Sequence, residues 1–485
     1  MIRTRFAPSP TGMIHIGNIR TALYAYLIAR HNNGQFILRI EDTDKNRSED
    51  IYIQKIYDAL NALGLYCDES PNNPVDKYSP YIQSERVKSG LYMKYALQLI
   101  EQGDAYYCFC PEAKTDLDTY KEECNYATGL GYNGHCRSLS KEEIEKNLKE
   151  GKPYVIRQKM PLNKIITYHD EVYGDIVFNS QDLDDQVLIK QDGYPTYNFA
   201  NVIDDHLMDI THVVRGNEYL SSTPKYVLLY NAFQWSVPCF IHLPLIYIVD
   251  SHGFEQKLSK RFNCASFEGL IDSGYLPEAI INYIVKLGWG IDSNQEFFTL
   301  QELISVFDIK NINKSHKVIF DNDKLDWLNH KYIVDLDDND FIAYCKKYCS
   351  YSLDWSKVSS LIKNKIKKFN ELNYELSILK EPDVFANSCL FDYKKKDYDN
   401  KDIVDFINYL SKMIVDDIKS IDYENIIRDY SKLSNISFGS LMYIYRIIIT
   451  GRKVIIMSAT DVSELIGKIE VLKRLNDTKK YLIPY

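Results

Sequence analysis

The chain has 485 residues, 45% apolar and 26% charged, with a net charge of −9. That length suggests roughly three domains, and the ordinary globular composition excludes collagen-like, disordered and disulfide-scaffold classes. Ten cysteines are too sparse for a disulfide framework in a chain this long, so reduced thiols or one metal site, in a cytoplasmic setting, are expected. No stretch approaches the ~20 uncharged apolar residues of a membrane span. Met1-Ile2-Arg3-Thr4-Arg5 opens no signal-peptide core, so a membrane is not expected among the partners. The negative charge does not decide nucleic-acid binding, because local distribution counts; Lys357 to Lys368 carries five lysines and no acid. By itself that run reads equally well as a solvated helix face.

Ile2, Thr4 and Phe6 alternate with Arg3 and Arg5 as in a short strand, and Pro8-Ser9-Pro10-Thr11-Gly12 then breaks it. Ile19, Ala22, Leu23, Tyr26 and Leu27 recur at helical spacing up to Arg30, Asn32-Asn33-Gly34 stops the helix, and Phe36 to Ile40 reads as a buried strand. This is a βαβ unit, whose helix N-terminus lies at the carboxyl end of the first strand and favours anions. His15-Ile16-Gly17-Asn18 therefore sits where a nucleotide phosphate would bind. His15 can donate to a phosphate, and Gly17, lacking a Cβ, lets a flat base approach the backbone. A bare H-x-G is more often a turn before a helix, so the motif needs its neighbours. Further on come Cys108-Phe109-Cys110 with Cys136, a two-plus-one pattern suited to zinc or to thiols in a small core. The cationic segment Lys257-Leu258-Ser259-Lys260-Arg261 reads as a loop. Toward the C-terminus, Ile403, Phe406, Ile407 and Leu410, and then Leu465, Ile469, Leu472 and Leu475, keep three- and four-residue steps that predict amphipathic helices.

Arg5-Phe6-Ala7-Pro8-Ser9-Pro10-Thr11-Gly12, His15 to Asn18, Arg20-Thr21-Ala22-Leu23 and Arg39-Ile40-Glu41-Asp42-Thr43-Asp44 together resemble the amino-terminal signature of glutamyl-tRNA synthetases. These are class I enzymes with a split nucleotide-binding domain and a first signature of H-I-G-H or a close variant. Asn18 stands at the last histidine. The helical spacing after Ile333, without long β-alternating runs, resembles the α-helical ending of the bacterial type rather than the β-barrels of glutaminyl enzymes. Asp192 to Tyr197, Ala200 to His206 and Val213 to Gly216 resemble the stretch that completes the family's amino-acid pocket. The resemblance implies glutamate contacts at Arg5, Ala7, Ser9, Glu41, Tyr197, Asn201 and Arg215. Chemistry agrees, since two carboxylates call for guanidinium forks and the ammonium for an acid or hydroxyl. Arg5 and Arg215 suit the carboxylates, Glu41 and Ser9 the ammonium, and Tyr197 and Asn201 orient.

Lys257 to Arg261 resembles the K-M-S-K-S loop of class I synthetases, which implies an ATP site of His15, Gly17, Asn18, Lys257, Ser259 and Lys260. His15, Lys257 and Lys260 would serve catalysis, Lys260 foremost, because charge grows on the transferring phosphoryl group and on pyrophosphate. No protein nucleophile is needed; the substrate carboxylate attacks the α-phosphate, and positioning does the rest. Tyr132 and Cys136 resemble the Y-x3-C arrangement of the truncated glutamyl-queuosine paralogues, which makes Cys108, Cys110, Tyr132 and Cys136 a candidate zinc set, with His135 and Cys124 as other fourth donors.

The fold class implied is α/β: a Rossmann-type catalytic domain with a connective insertion, followed by an all-α anticodon-binding domain. Its divisions would be 1–80 and 191–255 for the catalytic halves, 81–190 for the insertion at the tRNA acceptor end, 256–333 for the stem-contact region and 334–485 for the anticodon part. The expected partners are tRNA(Glu), glutamate and ATP with Mg²⁺, possession of one structural Zn²⁺ is left open, and the chain is expected to be a monomer. The rival readings are a glutamyl-queuosine tRNA(Asp) synthetase, against which the ~150 residues after Ile333 count, and an inactive tRNA-binding paralogue, which would have lost His15, Glu41, Arg215 or Lys260.

Overall fold

A computed structural model describes residues 1–44, 49–110, 132, 134–250, 252–258, 266–291, 293–382 and 398–482. Two compact units result, one of Met1–Leu270 with Ile280–Asp321 and one of Ile271–Ala279 with Asn322–Tyr485.

The first unit contains the strands β1 (Arg3–Phe6), β2 (Gln35–Leu38), β3 (Ala105–Cys108), β4 (Val155–Gln158), β5 (Ile165–Asp170) and β6 (Gly174–Asn179). It continues with β7 (Val187–Ile189), β8 (His212–Gly216), β9 (Cys239–Leu243), β10 (Leu245–Val249), β11 (Glu255–Lys257) and β12 (Lys317–Phe320). The expected βαβ unit is present: β1 and β2 pair in parallel, Arg3 opposite Gln35 through Phe6 opposite Leu38, across the helix Ile16–His31. That helix starts earlier than its apolar spacing suggests, because His15 caps it, Nδ1 accepting the Gly17 N–H at 3.0 Å. Its stop is steric as well as conformational: a Cβ on Gly34 would lie 2.3 Å from the Ile2 carbonyl oxygen, so only glycine lets β2 start beside β1.

The main sheet runs β2-β1-β8-β9-β5-β6, parallel except for the last pair. Parallel strands need long crossovers and cover on both faces, which the near-continuous apolar character of Val213, Val214, Phe240 and Ile241, all buried, reflects. The hairpin β5–β6 comes from within 81–190 yet docks on β9, with Asp170 opposite Phe240. The strands β3, β4 and β7 form a separate antiparallel sheet, and β10 joins β11 and β12 in a third.

The second unit is helical. In Asn400–Met413 the predicted residues Ile403, Phe406, Ile407 and Leu410 are all buried. The last helix, Ala459–Leu482, departs from its predicted stripe: Leu475 is buried but Ile469 is 87% exposed. Gly467, at φ +77°, breaks the turn between Leu465 and Ile469, so the periodic phase does not carry across it. The lysine run is divided as well. Lys363 and Lys368 pair with Asp338 and Asp326 at 3.0 and 3.2 Å, acids supplied by distant sequence, while Lys357, Lys365 and Lys367 stay exposed. Among the described residues, no helix is long and apolar enough to cross a membrane.

Candidate active site

The carboxyl ends of β1 and β8 and the N-terminus of the helix Ile16–His31 open onto one continuous cleft. One part is lined by Arg5, Gly17, Arg215, Glu218 and Lys257 among others. The other is lined by Ser9, Glu41, Thr43 and Lys190 among others, and Ala7, His15, Asn18 and Tyr197 border both. Ten of the sequence-derived site residues are placed there. Asn201 is not among the lining residues: it is buried, its amide donating to the Tyr197 carbonyl at 2.7 Å from one helical turn further on. Ser259 and Lys260 lie outside the described residues.

Beneath the cleft is a dense ionic floor. Arg39, fully buried, donates to Asp205 at 2.8 Å and to Glu41 Oε1 at 2.9 Å, and its Nε is 3.8 Å from Asp204. Arg5 donates to the same Asp205 oxygen at 3.0 Å. Burial works against the Asp205 carboxylate, but Arg5 and Arg39 outweigh it and hold its pKa below the ordinary value. For Glu41 the balance reverses: burial pushes it up to about 7, with Arg39 pulling against it. One Glu41 oxygen, Oε2, is buried without a hydrogen-bond partner. An unsatisfied buried carboxylate oxygen is costly and calls for a donor.

The basic counterpart is Arg215. Its Nε donates to His242 Nε2 at 3.1 Å and its Nη2 to Thr223 Oγ1 at 2.9 Å, while Nη1 is buried without a partner. The guanidinium carbon lies 4.6 Å from the centre of the Tyr226 ring, which supports the cation on a π face. Burial raises the pKa of Tyr197 well above the usual phenol value, so it stays a hydroxyl donor. At the N-terminus of the helix Ile16–His31, a Cβ on Gly17 would fall 3.1 Å from His15 Nδ1 and crowd that ring. Lys257 is half exposed and 3.6 Å from Glu218.

Sequence reasoning did not single out several residues that shape this site. Asp205 stood inside a quoted motif, yet nothing local marks it as the partner of two arginines. Arg20 lines the cleft, but its guanidinium is occupied by the carbonyls of Leu287 and Pro244. His242 and Asp170 are buried polar residues in strands, the pattern that most resembles a satisfied core pair.

Away from the cleft, the sulfurs of Cys108, Cys110 and Cys136 lie within 4.8 Å of one another, an arrangement able to hold a metal. Cys110 and Cys136 are 3.6 Å apart at sulfur, and the Tyr132 hydroxyl is 3.2 Å from Cys108 and 3.7 Å from Cys110. Hydrogen bonds, foremost from Cys136, hold the Cys108 thiol well below its ordinary pKa. His135 is not part of the group, and Cys124 lies outside the described residues.

Comparison with known proteins agrees with this architecture. Residues 1–327 match the model of the catalytic domain of tRNA synthetases class I (E and Q), and 340–479 match an anticodon binding domain. The chain therefore belongs to the class I tRNA synthetases. It is 46% identical over 487 residues to a glutamate–tRNA ligase of Clostridium novyi, covering 98% of this chain and 96% of that one, and 45% identical to the ligase of Clostridium kluyveri, with 98% and 96% covered. The crystal structure of a glutamate tRNA ligase from Elizabethkingia meningosepticum in complex with its amino acid superposes with a TM-score of 0.81 at 34% identity, covering 99% of this chain and all of the other. Within the class, the chain belongs to the glutamate–tRNA ligase family.

Proposed function

We propose that this chain activates glutamate with ATP and passes it to the 3′ end of tRNA(Glu). The observation that carries the reading is the pairing of a buried basic and a buried acidic group, each with one unpartnered atom, Arg215 Nη1 and Glu41 Oε2, along a single cleft. An α-amino acid with a second carboxylate brings the complementary charges.

Glu41, with Ser9, holds the ammonium, while Arg5 and Arg215 receive carboxylates and Tyr197 orients the chain between them. The α-carboxylate attacks the α-phosphate of ATP; the bond to the β-phosphate breaks, and pyrophosphate leaves with glutamyl-adenylate formed. His15, Gly17, Asn18 and Ser259 cradle the nucleotide at the helix N-terminus, and Lys257 and Lys260 meet the charge that grows on the leaving phosphates. Mg²⁺ enters with ATP. A hydroxyl of the terminal tRNA ribose then attacks the adenylate carbonyl and AMP departs. In this reading 81–190 grips the acceptor end, 256–333 contacts the stem and the helical 334–485 receives the anticodon; the enzyme works as a cytoplasmic monomer. Incorporation of labelled glutamate into purified tRNA(Glu) tests it. Label reaching tRNA(Asp) instead would favour queuosine modification, and none in either would sink the proposal.

The ammonium role of Glu41 carries a pH signature. A protonated Glu41 cannot pair with the ammonium, so with a pKa of about 7 the glutamate KM is expected to rise about tenfold from pH 8 to pH 6, following one titration. The KM for ATP, measured alongside by pyrophosphate exchange, is the control; parallel rises in both would remove Glu41 from the role.

The cysteine group fits zinc. Tetrahedral Zn–S bonds of ~2.3 Å place sulfurs ~3.8 Å apart, close to the Cys110–Cys136 spacing of 3.6 Å, and the Tyr132 hydroxyl supplies a fourth donor. When bound, the ion ties β3 to the 3₁₀ turn His135–Ser138. About one zinc per chain is expected by metal analysis, and Cys108→Ser is expected to lose it and to increase proteolysis within 81–190. Metal-free protein purified without chelator would leave a thiol core.

A further inference from the structure

We infer that Asp170, His242 and Thr223 are positioning residues that aim the Arg215 guanidinium at the side-chain carboxylate of the substrate, and that they do so through a fixed imidazole tautomer. The inference rests on the reading of Arg215 as a glutamate contact and extends it to groups that never touch substrate.

The sheet builds the arrangement. Arg215 in β8 lies directly opposite His242 in β9, and Asp170 at the end of β5 lies opposite Phe240, two residues before His242 on the same face. An arginine Nε–H can only donate. Its 3.1 Å contact with His242 Nε2 therefore requires that nitrogen to be bare and places the proton on Nδ1. From there it is donated to Asp170 Oδ2 at 2.6 Å. The other Asp170 oxygen is fixed in turn by the backbone N–H groups of Val172 and Tyr173, at 3.0 and 2.9 Å.

Thr223 completes the grip. Its hydroxyl accepts from Arg215 Nη2 at 2.9 Å, donates to the Tyr219 carbonyl at 2.8 Å, and lies 3.3 Å from His242 Nε2. Two of the three guanidinium nitrogens are thus held, so the planar group has one free edge, and that edge carries the unpartnered Nη1. Asp170, His242 and Thr223 are all fully buried. Burial also pushes the His242 pKa down to about 4, which keeps the ring neutral and its acceptor nitrogen available at working pH.

Core packing alone would require only that these side chains fill space. Orientation through a tautomer requires the polarity of each hydrogen bond, and a nearly isosteric change separates the two. In Asp170→Asn the two backbone donors hold the amide oxygen on their side, so the NH₂ faces His242 Nδ1 and drives the ring proton to Nε2, where it opposes the Arg215 N–H. An asparagine at the corresponding place in a serine-protease triad disables the histidine by the same tautomer reversal.

The test is ATP–pyrophosphate exchange in the presence of tRNA on Asp170→Asn, with Arg215→Gln beside it and thermal midpoints for both. The expected result is a glutamate KM raised at least about tenfold in Asp170→Asn, an unchanged ATP KM and a midpoint near wild type. A folded Asp170→Asn with the wild-type glutamate KM would overturn the positioning role, provided that Arg215→Gln impairs glutamate use. If Arg215→Gln leaves glutamate use intact, the reading of Arg215 itself falls and the positioning role with it. The tautomer is measured independently of any variant's folding: ¹⁵N-histidine spectra of the wild-type protein, with His242 assigned by its loss in His242→Gln, are expected to show protonation at Nδ1 alone. A proton on Nε2 would overturn the inference.

Discussion

Arg215→Gln is expected to lower kcat/KM for glutamate by at least about 10²-fold while leaving the ATP KM nearly unchanged. The guanidinium is buried, braced by His242 and Thr223 at 3.1 and 2.9 Å, and has one unpartnered nitrogen on the wall of the cleft. A hydrogen bond to a charged group contributes roughly 1.5–3 kcal/mol, and a guanidinium facing a carboxylate makes more than one such contact. The same physics predicts the wild-type preference. Free glutamine offers a neutral amide where the arginine awaits a charge, so glutamate is expected to be favoured over glutamine by at least about 10²-fold in kcat/KM without an editing step, because sites built on polar partners reject analogues that leave those partners unpaired. Arg215→Gln, which removes the positive charge, is expected to narrow that ratio. Exchange assays across both amino acids measure all three quantities. Equal activation of glutamate and glutamine by the wild-type enzyme would mean that Arg215 serves something other than the side chain.

What could be read from the sequence was whatever local rules encode. The βαβ unit follows from alternation, helical spacing and the Asn32-Asn33-Gly34 stop, and the four buried apolar positions of Asn400–Met413 follow from their three- and four-residue steps. The charges facing the cleft were legible as residue types in ordered motifs. Their supports were not. Asp170 and His242 are separated by 72 residues and meet only because β5 docks beside β9; neither residue carries a local sign of that pairing. Asn201 was legible as a polar side chain near Tyr197 but not as one turned toward the backbone. Ile469 fits a helical period that Gly467 interrupts, and a lone glycine inside a periodic run does not announce whether the helix will pass straight through it. Pattern thus locates the groups that face the cleft, while the partners that aim them depend on sheet order.

The buried ionic floor gives the second large expectation, on stability. Arg39→Met is expected to destabilise the first unit by about 3–5 kcal/mol, the range for breaking a buried ion pair by removing one partner. Methionine replaces most of the volume, so the loss is electrostatic rather than a cavity effect. It leaves Glu41 Oε1 without its 2.9 Å donor and Asp205 with Arg5 as its remaining cation. The loss also has a pH direction. Glu41 already sits at about 7 in the folded protein with Arg39 opposing the shift, above the ordinary carboxyl value of ~4.3 in an unfolded chain. Between those values the folded state binds more protons, so this group's contribution falls as pH rises and levels off above about 7. Without Arg39 the folded pKa rises further, so in the variant the decline continues beyond neutrality. The stability gap between wild type and variant is therefore expected to be wider at pH 8 than at pH 6, as measured by urea unfolding at the two values. A gap below about 1 kcal/mol, or one independent of pH, would mean that the floor is reorganised around Arg5 and that Arg39 is not the charge that favours the ionised forms of Glu41 and Asp205 beneath the cleft.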